Sequence, residues 1–562
     1  MRYVTKNLTF GLKIIVLTLL LVFIVSALII LKKVDSNLSV EAPERGGVLR
    51  EGIIGTPRFI NPVLTISDAD RDLSMLVYSG LMRADNNNII PDLAEGYTVD
   101  EDGLCYSFKL KSDIFWSDNE PITSDDVVFT IKQIKNPLTK SPKRASWEGI
   151  EVEKVDNKTV DFCLERPYAP FLENTTVGIL PYHIWKDMIP EQMPLSNFNI
   201  QPIGSGPYKI EKISRNSSGI ITSYTLTINK NFVLQKPYIE KIILKFYPSE
   251  KKMIEAYKEG AIESLGAISP QSMTEIRNDK SKLKTYLLPR VFAVFFNQDQ
   301  MPLFAENGIR EALNLATNKR LIVNDVLENF GTTINGPIPP GSLGSITESE
   351  TELNFEEQKE RARELLKKNG WILNEEENVL ERKTKKGTEK LEFSLSTSNV
   401  SDLIQTAEML QNMWQEIGVV VHLKIYEIGD LEQNVIRPRK YDAILFGEIM
   451  GRDPDAFAFW HSSQRNDPGL NIALYTNITA DKLLEEARVT LDKEERKNKY
   501  REFQQEIIDD TPAVFLYSPY FIYLAPLSLK GQNQDSITIS SERFSQIYNW
   551  HLRTKDIWKI FQ

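Results

Sequence analysis

The residues with the clearest chemical potential lie in the segment Phe446–Ser462, which contains the three acids Glu448, Asp453 and Asp455. A carboxylate that leaves water needs a cationic partner, so each of these acids would suit a ligand that carries an ammonium group. Asp453 has a second interpretation, because an Asp directly before Pro454 is typical of a helix N-cap followed by proline. Both interpretations stay open from the sequence.

Three further side chains could face a ligand. Asn471 lies in a short polar loop and could donate or accept a hydrogen bond there, although loop structure explains it equally well. Trp460 and Tyr517 could line a pocket with aromatic surface. Aromatic residues in a chain of this size are more often part of the core.

The sequence supports neither a metal site nor a catalytic site. The four histidines are far apart, and none forms a His-x-x-x-His pair, just as the cysteines form no Cys-x-x-Cys pair. No Walker A loop and no Cys/His arrangement is present. The Gly-Ser-Gly-Pro-Tyr run at 204–208 has the wrong spacing for a nucleophile elbow and predicts a structural turn. We therefore expect no cofactor, no metal and no enzymatic activity.

Helix and strand patterns alternate along most of the chain, which predicts an α/β fold. Apolar residues recur at helical spacing from Leu403 to Ile417, Gly418 follows as a helix stop, and residues 419–425 change to a period of two. Thr123 and Asp126 have the spacing of a capping box, so a helix should begin near Ser124. Three more helices are predicted at 356–368, 481–492 and 494–509, and the charged tract 374–390 predicts an exposed hairpin or loop.

The N-terminus predicts a membrane segment. Ile14–Leu31 is a continuous apolar run, and about 18 to 20 such residues can cross a bilayer as a helix. Arg2, Lys6 and Lys13 precede it and favour a cytoplasmic N-terminus. The run has neither a convincing cleavage site nor a lipid-accepting cysteine, so an uncleaved anchor is favoured over a cleaved signal peptide. The remaining bulk would be extracytoplasmic in either case.

Charge and cysteine content narrow the function further. The formal net charge of −10 argues against a nucleic-acid partner, which usually requires a basic surface. The chain has two cysteines, Cys105 and Cys163. An exported protein can form a disulfide from such a pair, but two small buried residues are an equally open interpretation, since Cys105 belongs to an alternating strand pattern.

Several short motifs, none specific alone, follow one another along the chain. They are Arg45-Gly46-Gly47-Val48-Leu49-Arg50, Thr56-Pro57-Arg58-Phe59-Ile60-Asn61-Pro62, Tyr78-Ser79-Gly80-Leu81, Pro91-Asp92-Leu93-Ala94, Thr123-Ser124-Asp125-Asp126 and Gly204-Ser205-Gly206-Pro207-Tyr208. Their order resembles the peptide/nickel-type bacterial extracellular solute-binding proteins, family 5, which include oligopeptide- and dipeptide-binding proteins of ABC importers. The resemblance runs from about residue 45 to about residue 531.

The resemblance implies a two-lobed, periplasmic-binding-protein-like clam with an extra domain, here preceded by the N-terminal transmembrane helix. Strands that cross between the lobes would form a hinge near Leu288–Asn297 and Pro512–Tyr517. The implied division is 1–34 for the N-terminus and anchor, 35–44 for a tether, 45–79 with 201–290 and 513–562 for lobe I, 80–200 for the extra domain, and 291–512 for lobe II.

The resemblance also places the ligand beside Phe446–Ser462. Peptide-binding members of the family have a Trp at the start of this loop and an Asp that holds the amino terminus of the peptide. This chain has Gly447 and Met450 at those positions, so a shifted acid would supply the carboxylate, or a roomier apolar pocket would take a different ligand. The expected ligand-binding residues are Glu448, Met450, Gly451, Asp453, Asp455, Trp460, Asn471 and Tyr517.

The resemblance implies a membrane-tethered receptor that delivers oligopeptides, or other elongated solutes, to the permease and ATPase subunits of an ABC importer. The alternative is a sensor or peptide chaperone of the cell envelope that performs no transport, because the same clam would serve both functions. An anchored hydrolase is disfavoured by the missing catalytic residues.

Overall fold

The computed structural model describes residues 10–276, 281–346, 354–385 and 387–558; Arg2 and Lys6 lie outside them. Helix α1 (Phe10–Leu38) comes first, and strand β1 (Ser39–Glu44) pairs antiparallel with residues 553–558 near the C-terminus. The segment 35–44, predicted as a tether, thus completes a helix and forms a paired strand. Among the described residues, none of the helices combines the length and the apolar content that a bilayer crossing requires.

The next part of the chain contributes one strand and one helix to lobe I and then forms the extra domain. A four-stranded antiparallel sheet of order β5-β6-β8-β7 is the centre of that domain, and α3 packs against it. The elements are β2 (Val48–Ile54), α2 (Asp68–Val77), β3 (Met82–Asp85), β4 (Asn88–Pro91), β5 (Ala94–Val99), β6 (Cys105–Leu110), α3 (Ser124–Lys135), β7 (Ile150–Lys154), β8 (Thr159–Leu164), α4 (Phe171–Asn174) and α5 (Tyr182–Trp185).

Cys105 and Cys163 face each other across β6 and β8 and form a disulfide. Both cysteines are only half-buried, so the interpretation as two buried small residues was wrong. The bond lies on the less buried face of the sheet, whereas Tyr106 and Phe108 occupy the core face. It therefore crosslinks two strands whose other face is held by hydrophobic packing.

The chain then returns to lobe I through the turn at 204–208. The amide of Gly206 donates to the carbonyl of Val77, and a Cβ on Gly204 would come within 2.0 Å of that carbonyl oxygen, so the turn is structural. The elements of this part are β9 (Tyr208–Arg215), β10 (Ile221–Ile228), β11 (Lys241–Tyr247), α6 (Glu250–Lys258), β12 (Ser264–Gly266), α7 (Met273–Ile276) and β13 (Ser281–Leu287).

Lobe II follows, and its central sheet has helices on both faces. The predicted helices of this lobe agree with the observed ones to within a few residues, and the charged tract 374–390 forms most of the three-stranded antiparallel sheet β16-β17-β18. The elements are β14 (Arg290–Phe296), α8 (Asn307–Leu315), α9 (Lys319–Asp325), β15 (Gly331–Thr333), α10 (Phe355–Lys368), β16 (Ile372–Asn374), β17 (Val379–Thr384), β18 (Gly387–Lys390), β19 (Glu392–Ser398), α11 (Ser401–Gln415), β20 (Val420–Tyr426), α12 (Ile428–Asp430), β21 (Ala443–Ile449), α13 (Phe457–Trp460), α14 (Ile478–Val489) and α15 (Lys493–Asp510).

One long strand joins the two lobes. The first part of β22 (Ala513–Pro526) pairs with β14 of lobe II, and its second part pairs with β13 of lobe I. The strand order β20-β19-β21-β14-β22-β12-β2-β11-β10-β9 therefore runs from one lobe into the other, and β23 (Arg553–Trp558) ends the described chain. Separate hydrophobic cores on either side of β22 confirm the predicted α/β, two-lobed fold.

Candidate functional site

A crevice of about 250 Å³ lies between lobe I and the extra domain. One wall consists of one face of α2 and the segment 539–548 of lobe I, which contains the short 3-10 helix Ser540–Phe544, together with strand β3 at the start of the extra domain. Its other wall consists of residues 143–147 and 173–178 of the extra domain. We refer to this cavity as the crevice.

The sequence of α2 fixes both its start and the loop before it. Ser67 and Asp70 form a capping box, and the Asp70 carboxylate also accepts hydrogen bonds from the amides of Arg58 and Phe59 at 2.7 and 2.9 Å. Carboxylates are favoured at helix N-termini because the free amides there are unsatisfied. The helix buries Leu73 and its apolar neighbours in lobe I and presents its polar residues to the crevice.

A buried ionic network connects α2 to the segment 539–548. The guanidinium of Arg543 lies 2.6 Å from Glu51 Oε1 and 2.6 Å from Asp72 Oδ2, and the Tyr523 hydroxyl donates to Glu51. Burial raises the pKa of Asp72 to about 6, while the charge of Arg543 opposes that shift. Because the network joins β2, α2, β22 and the 3-10 helix, it fixes the lobe I wall.

Polar atoms without a partner are present on the same wall. Tyr78 Oη, Asp92 Oδ1 and Ser541 Oγ are buried and form no hydrogen bond with any residue that the structure describes. Burial raises the pKa of Asp92 to about 6, and the nearby Arg83 charge partly offsets this. Leaving such groups unsatisfied costs about 1–3 kcal/mol each. Residues that line a cavity can recover this cost by binding a ligand.

Lobe II closes one end of the crevice through Arg452, which the sequence analysis overlooked. Its Nη2 lies 2.7 Å from Glu542 Oε2 in lobe I, and its backbone amide and Nη1 contact Glu173 Oε1 of the extra domain at 3.1 and 3.4 Å. Its Nε donates to the carbonyl of Asn86 at 2.5 Å. Since Glu173 and Glu542 both line the crevice, Arg452 acts as a latch across three parts of the fold.

The latch depends on the residue before it. A Cβ on Gly451 would lie 2.7 Å from Glu173 Oε2, so only glycine allows the loop to approach this closely. Burial raises the pKa of Glu173, and the charge of Arg452 acts in the opposite direction. Gly451 was predicted as a ligand contact, and its observed neighbour is the carboxylate that Arg452 holds.

Asp453 and Asp455 are both paired with arginines of lobe II. Asp453 Oδ2 lies 2.8 Å from Arg496, and burial raises the pKa of Asp453 against the effect of that charge. The predicted N-cap role is wrong, because α13 begins only at Phe457. Asp455 Oδ2 lies 2.8 Å from Arg488 and also accepts from the Tyr168 hydroxyl of the extra domain at 3.1 Å.

Glu448 and Trp460 lie inside lobe II. Glu448 is 3% exposed, and neither of its carboxylate oxygens forms a hydrogen bond with a described residue. Burial raises the pKa of Glu448 well above the usual range. The nearby Trp460 indole N–H lowers this pKa, although the two groups do not have the geometry of a hydrogen bond. Glu448 lies in the interior of lobe II and does not line the crevice, so the structure gives no support to Glu448 as the carboxylate that holds an ammonium group.

Neighbouring side chains pack closely where an apolar pocket was predicted at Gly447 and Met450. A Cβ on Gly447 would lie 2.7 Å from the ring of Phe292, which fills the space that a larger residue would occupy. Met450 is buried in the lobe II core, and its amide donates to the Pro289 carbonyl at 2.9 Å. The small residue therefore makes room for a neighbouring ring.

The remaining two predicted residues are structural. Asn471 is fully buried, and its side chain donates to the carbonyls of Trp460, His461 and Tyr475, so loop structure explains it better than ligand binding. Tyr517 stacks on Phe292 with 5.1 Å between ring centroids at the start of the strand shared by the lobes.

Comparisons with known proteins agree with this architecture. A family model described as bacterial extracellular solute-binding proteins, family 5 Middle, matches residues 88–470. The oligopeptide-binding protein AppA of Bacillus subtilis is 27% identical over 504 residues, which cover 88% of this chain and 91% of AppA. The structure of AppA from Bacillus subtilis in complex with a nonapeptide matches 91% of this chain and 100% of that chain with a TM-score of 0.67.

Two other solved structures are similar over comparable lengths. NikZ from Campylobacter jejuni in complex with Ni(L-His) is 28% identical and covers 90% of this chain and 99% of that chain, with a TM-score of 0.68. The ABC transporter substrate-binding protein CtaP from Listeria monocytogenes is 25% identical over 90% of this chain and 99% of that chain, with a TM-score of 0.75. The chain belongs to the family 5 bacterial extracellular solute-binding proteins.

Proposed function

We propose that this protein is the extracytoplasmic substrate-binding component of an ABC importer and that it captures peptides in the crevice. The observation that carries the proposal is the Arg452 latch, by which lobe II closes a cavity formed by the other two parts of the fold. The similarity to AppA, whose structure holds a nonapeptide, supports peptides as the ligand class. No bond of the ligand changes in this function.

Closure would follow from differential binding. A ligand that contacts both sides only in the closed form shifts the equilibrium toward that form. The Arg452 contacts with Glu173 and Glu542 would then be made and broken as lobe II moves. The permease would recognise the closed arrangement of the lobes.

The division of the chain is part of the proposal. Residues 45–79, 201–290 and 513–562 would move as lobe I with the extra domain 80–200, and residues 291–512 would move as lobe II. The change in the partner of β22 from β14 to β13, between residues 517 and 520, supports a hinge inside that strand. Strand β14 itself lies within the other proposed crossing point, Leu288–Asn297.

Membrane anchoring through α1 is a separate proposal. It is supported by the apolar run in the sequence and by the exposure of its side chains, such as Leu17 at 74% and Phe23 at 73%. Such a surface is unfavourable in water and suits a lipid environment. Retention of the protein in alkali-washed membranes is expected, and its complete release would contradict the anchor.

The predicted site changes accordingly. From the predicted set we retain Gly451, which approaches Glu173 of the extra domain at the edge of the crevice. To it we add Arg452, Glu173 and Asp92, which close or line the crevice. The other predicted residues would hold the lobe II loop in place.

Binding can be tested with the full-length protein in detergent. Its melting temperature would be measured with a defined mixture of pentapeptides, and with mixtures of free amino acids and of sugars as matched controls. We expect the peptides alone to raise the melting temperature. A shift with another solute class and none with any peptide would discard the peptide assignment.

A further inference from the structure

Lys143 is a cation without an acidic partner at the wall of the crevice. It lies in the extra domain, is half-buried and lines the cavity. Within the part of the chain that the structure describes, its ammonium group forms no ion pair. Charged groups that leave water are usually paired, because desolvation of an isolated charge is costly.

A second cation increases this imbalance. Arg71 of α2 also lines the crevice. Its Nη1 pairs with Asp68 at 2.9 Å, and Asp68 is the more exposed of these two side chains. Burial is the main cause that lowers the pKa of Lys143, and the charge of Arg71 lowers it further. Both causes disfavour the charged ammonium, and an anion close to Lys143 would act in the opposite direction.

The other charged groups of the crevice do not supply that anion. Glu173 and Glu542 are both held by Arg452, and the charge of Arg83 acts on Asp92. Among the described residues, none of these three acids forms an ion pair with Lys143. Lys143 and Arg71 therefore give the cavity a positive side between α2 and the extra domain.

The backbone around Lys143 is held rigidly. Its amide donates to the Ser141 hydroxyl, which in turn donates to the Val63 carbonyl of lobe I at 2.7 Å. On its other side, Trp147 is 1% exposed and contacts the rings of Phe162 and Phe171 in the extra domain. A fixed backbone limits the region that the Lys143 ammonium can reach, which favours a specific site over a mobile surface charge.

From this arrangement we infer that Lys143, with Arg71 beside it, forms a subsite for a carboxylate group of the ligand. The inference rests on the proposed function and specifies it: the preferred solutes are peptides with a carboxylate that reaches the positive side of the crevice. Two sources share this chemistry, namely the C-terminal carboxylate of a peptide and an Asp or Glu side chain.

The test uses four pentapeptide libraries with the full-length protein in detergent. The libraries have either free or amidated C-termini, and each kind is made with and without Asp and Glu. Bound peptides are quantified by mass spectrometry for the wild type, Lys143→Met and Lys143→Arg. Lys186→Met is the matched control, because Lys186 is an exposed lysine of the same domain.

We expect the wild type to prefer libraries with a carboxylate by about tenfold or more, the usual effect of a charge-assisted hydrogen bond. The comparison of amidated and acid-free libraries identifies which carboxylate is bound. Lys143→Met should lose the preference and still bind amidated peptides, Lys143→Arg should retain part of it, and Lys186→Met should behave as the wild type.

Two results would overturn the inference in different ways. Peptide binding with no preference for carboxylates, or with a preference that Lys143→Met retains, refutes the subsite and leaves the peptide receptor intact. Failure of every library to bind the wild type refutes the proposed function, and the subsite with it. Melting temperatures of the variants show that each is folded.

Discussion

The acids of the lobe II loop and the charged residues of the crevice wall differ in how they are paired. Asp453 and Asp455 each contact an arginine of their own lobe, whereas, among the residues that the structure describes, Lys143 forms no ion pair and Asp92 has one oxygen without a hydrogen bond. An arginine partner offsets part of the desolvation cost of a buried acid, so a charge that is paired in this way contributes to architecture. A charge that is not paired beside a cavity is available to a ligand.

Arg452 connects the two regions. It comes from the lobe II loop, but its partners belong to the crevice. The loop therefore contributes to binding by closing the cavity, while its acids hold it in position. The predictions below test this difference between paired and unpaired charges, from the largest expected effect to the smallest.

Removal of Arg543 should cause the largest loss of stability. Arg543→Met leaves Glu51 and Asp72 buried without their cation, and breaking a buried pair in this way costs about 3–5 kcal/mol. We expect a clear fall in melting temperature. Arg501→Met, at an exposed arginine, is the control and should have little effect; equal melting temperatures for both variants would contradict a stabilising network.

The pH dependence of stability should change when Asp92 is replaced. The pKa of Asp92 is raised to about 6 in the folded protein, above its unfolded value, so the folded state binds the proton more tightly. Its contribution is most favourable below the unfolded pKa and is lost as the pH rises from about 4 through about 6.

Asp92→Asn removes this titration, so the variant should be more stable than the wild type by about 1–3 kcal/mol at pH 7 and nearly equal to it near pH 4. Asp72 titrates in the same range in both proteins, so only the difference between the two profiles is informative. Melting curves from pH 4 to pH 8 provide the measurement. Superimposable profiles would show that burial of the Asp92 carboxylate does not destabilise the folded protein.

Replacement of the latch should weaken closure. Arg452→Met deprives Glu173 and Glu542 of their common cation, and we expect about tenfold weaker peptide binding, as for the loss of one charge-assisted contact. Fluorescence transfer between probes on lobe I and lobe II should show a smaller closed population. Arg452→Lys keeps the positive charge but lacks the forked guanidinium, so its peptide affinity should be intermediate. Unchanged peptide affinity in both variants would exclude the latch.

Replacement of Asp455 should have the smallest effect. Asp455→Asn loses the partly exposed pair with Arg488, which contributes about 0.5–1 kcal/mol, and retains an acceptor for Tyr168. We expect a slightly lower melting temperature and nearly normal peptide affinity. A loss of affinity as large as that of Arg452→Met would move the ligand from the crevice wall to the lobe II loop.

The sequence predicted those features that depend on neighbouring residues. The helix that begins at Ser124 is specified by Thr123 and Asp126, and the change from α11 to β20 follows from periodicity and Gly418. The family motifs are also local, which is why the two-lobed fold could be predicted. These signals need no knowledge of the distant parts of the chain.

The site could not be predicted in the same way, because its pairings are distant. Arg452 contacts residues that are 279 and 90 positions away, and nothing next to it indicates either one. Glu448 is a residue type that suits a ligand contact, and only the packing of lobe II shows that it is buried and that burial raises its pKa. The signal that could have indicated Arg452 is an arginine among acids in one loop.

The most direct test of the crevice as the ligand site is hydrogen exchange on the full-length protein with and without the pentapeptide mixture. The account predicts slower exchange at 65–83, 143–147 and 539–548 together with the loop 446–455, because ligand and latch engage both sides at once. Slower exchange confined to the lobe II loop, with the crevice walls unchanged, would contradict it.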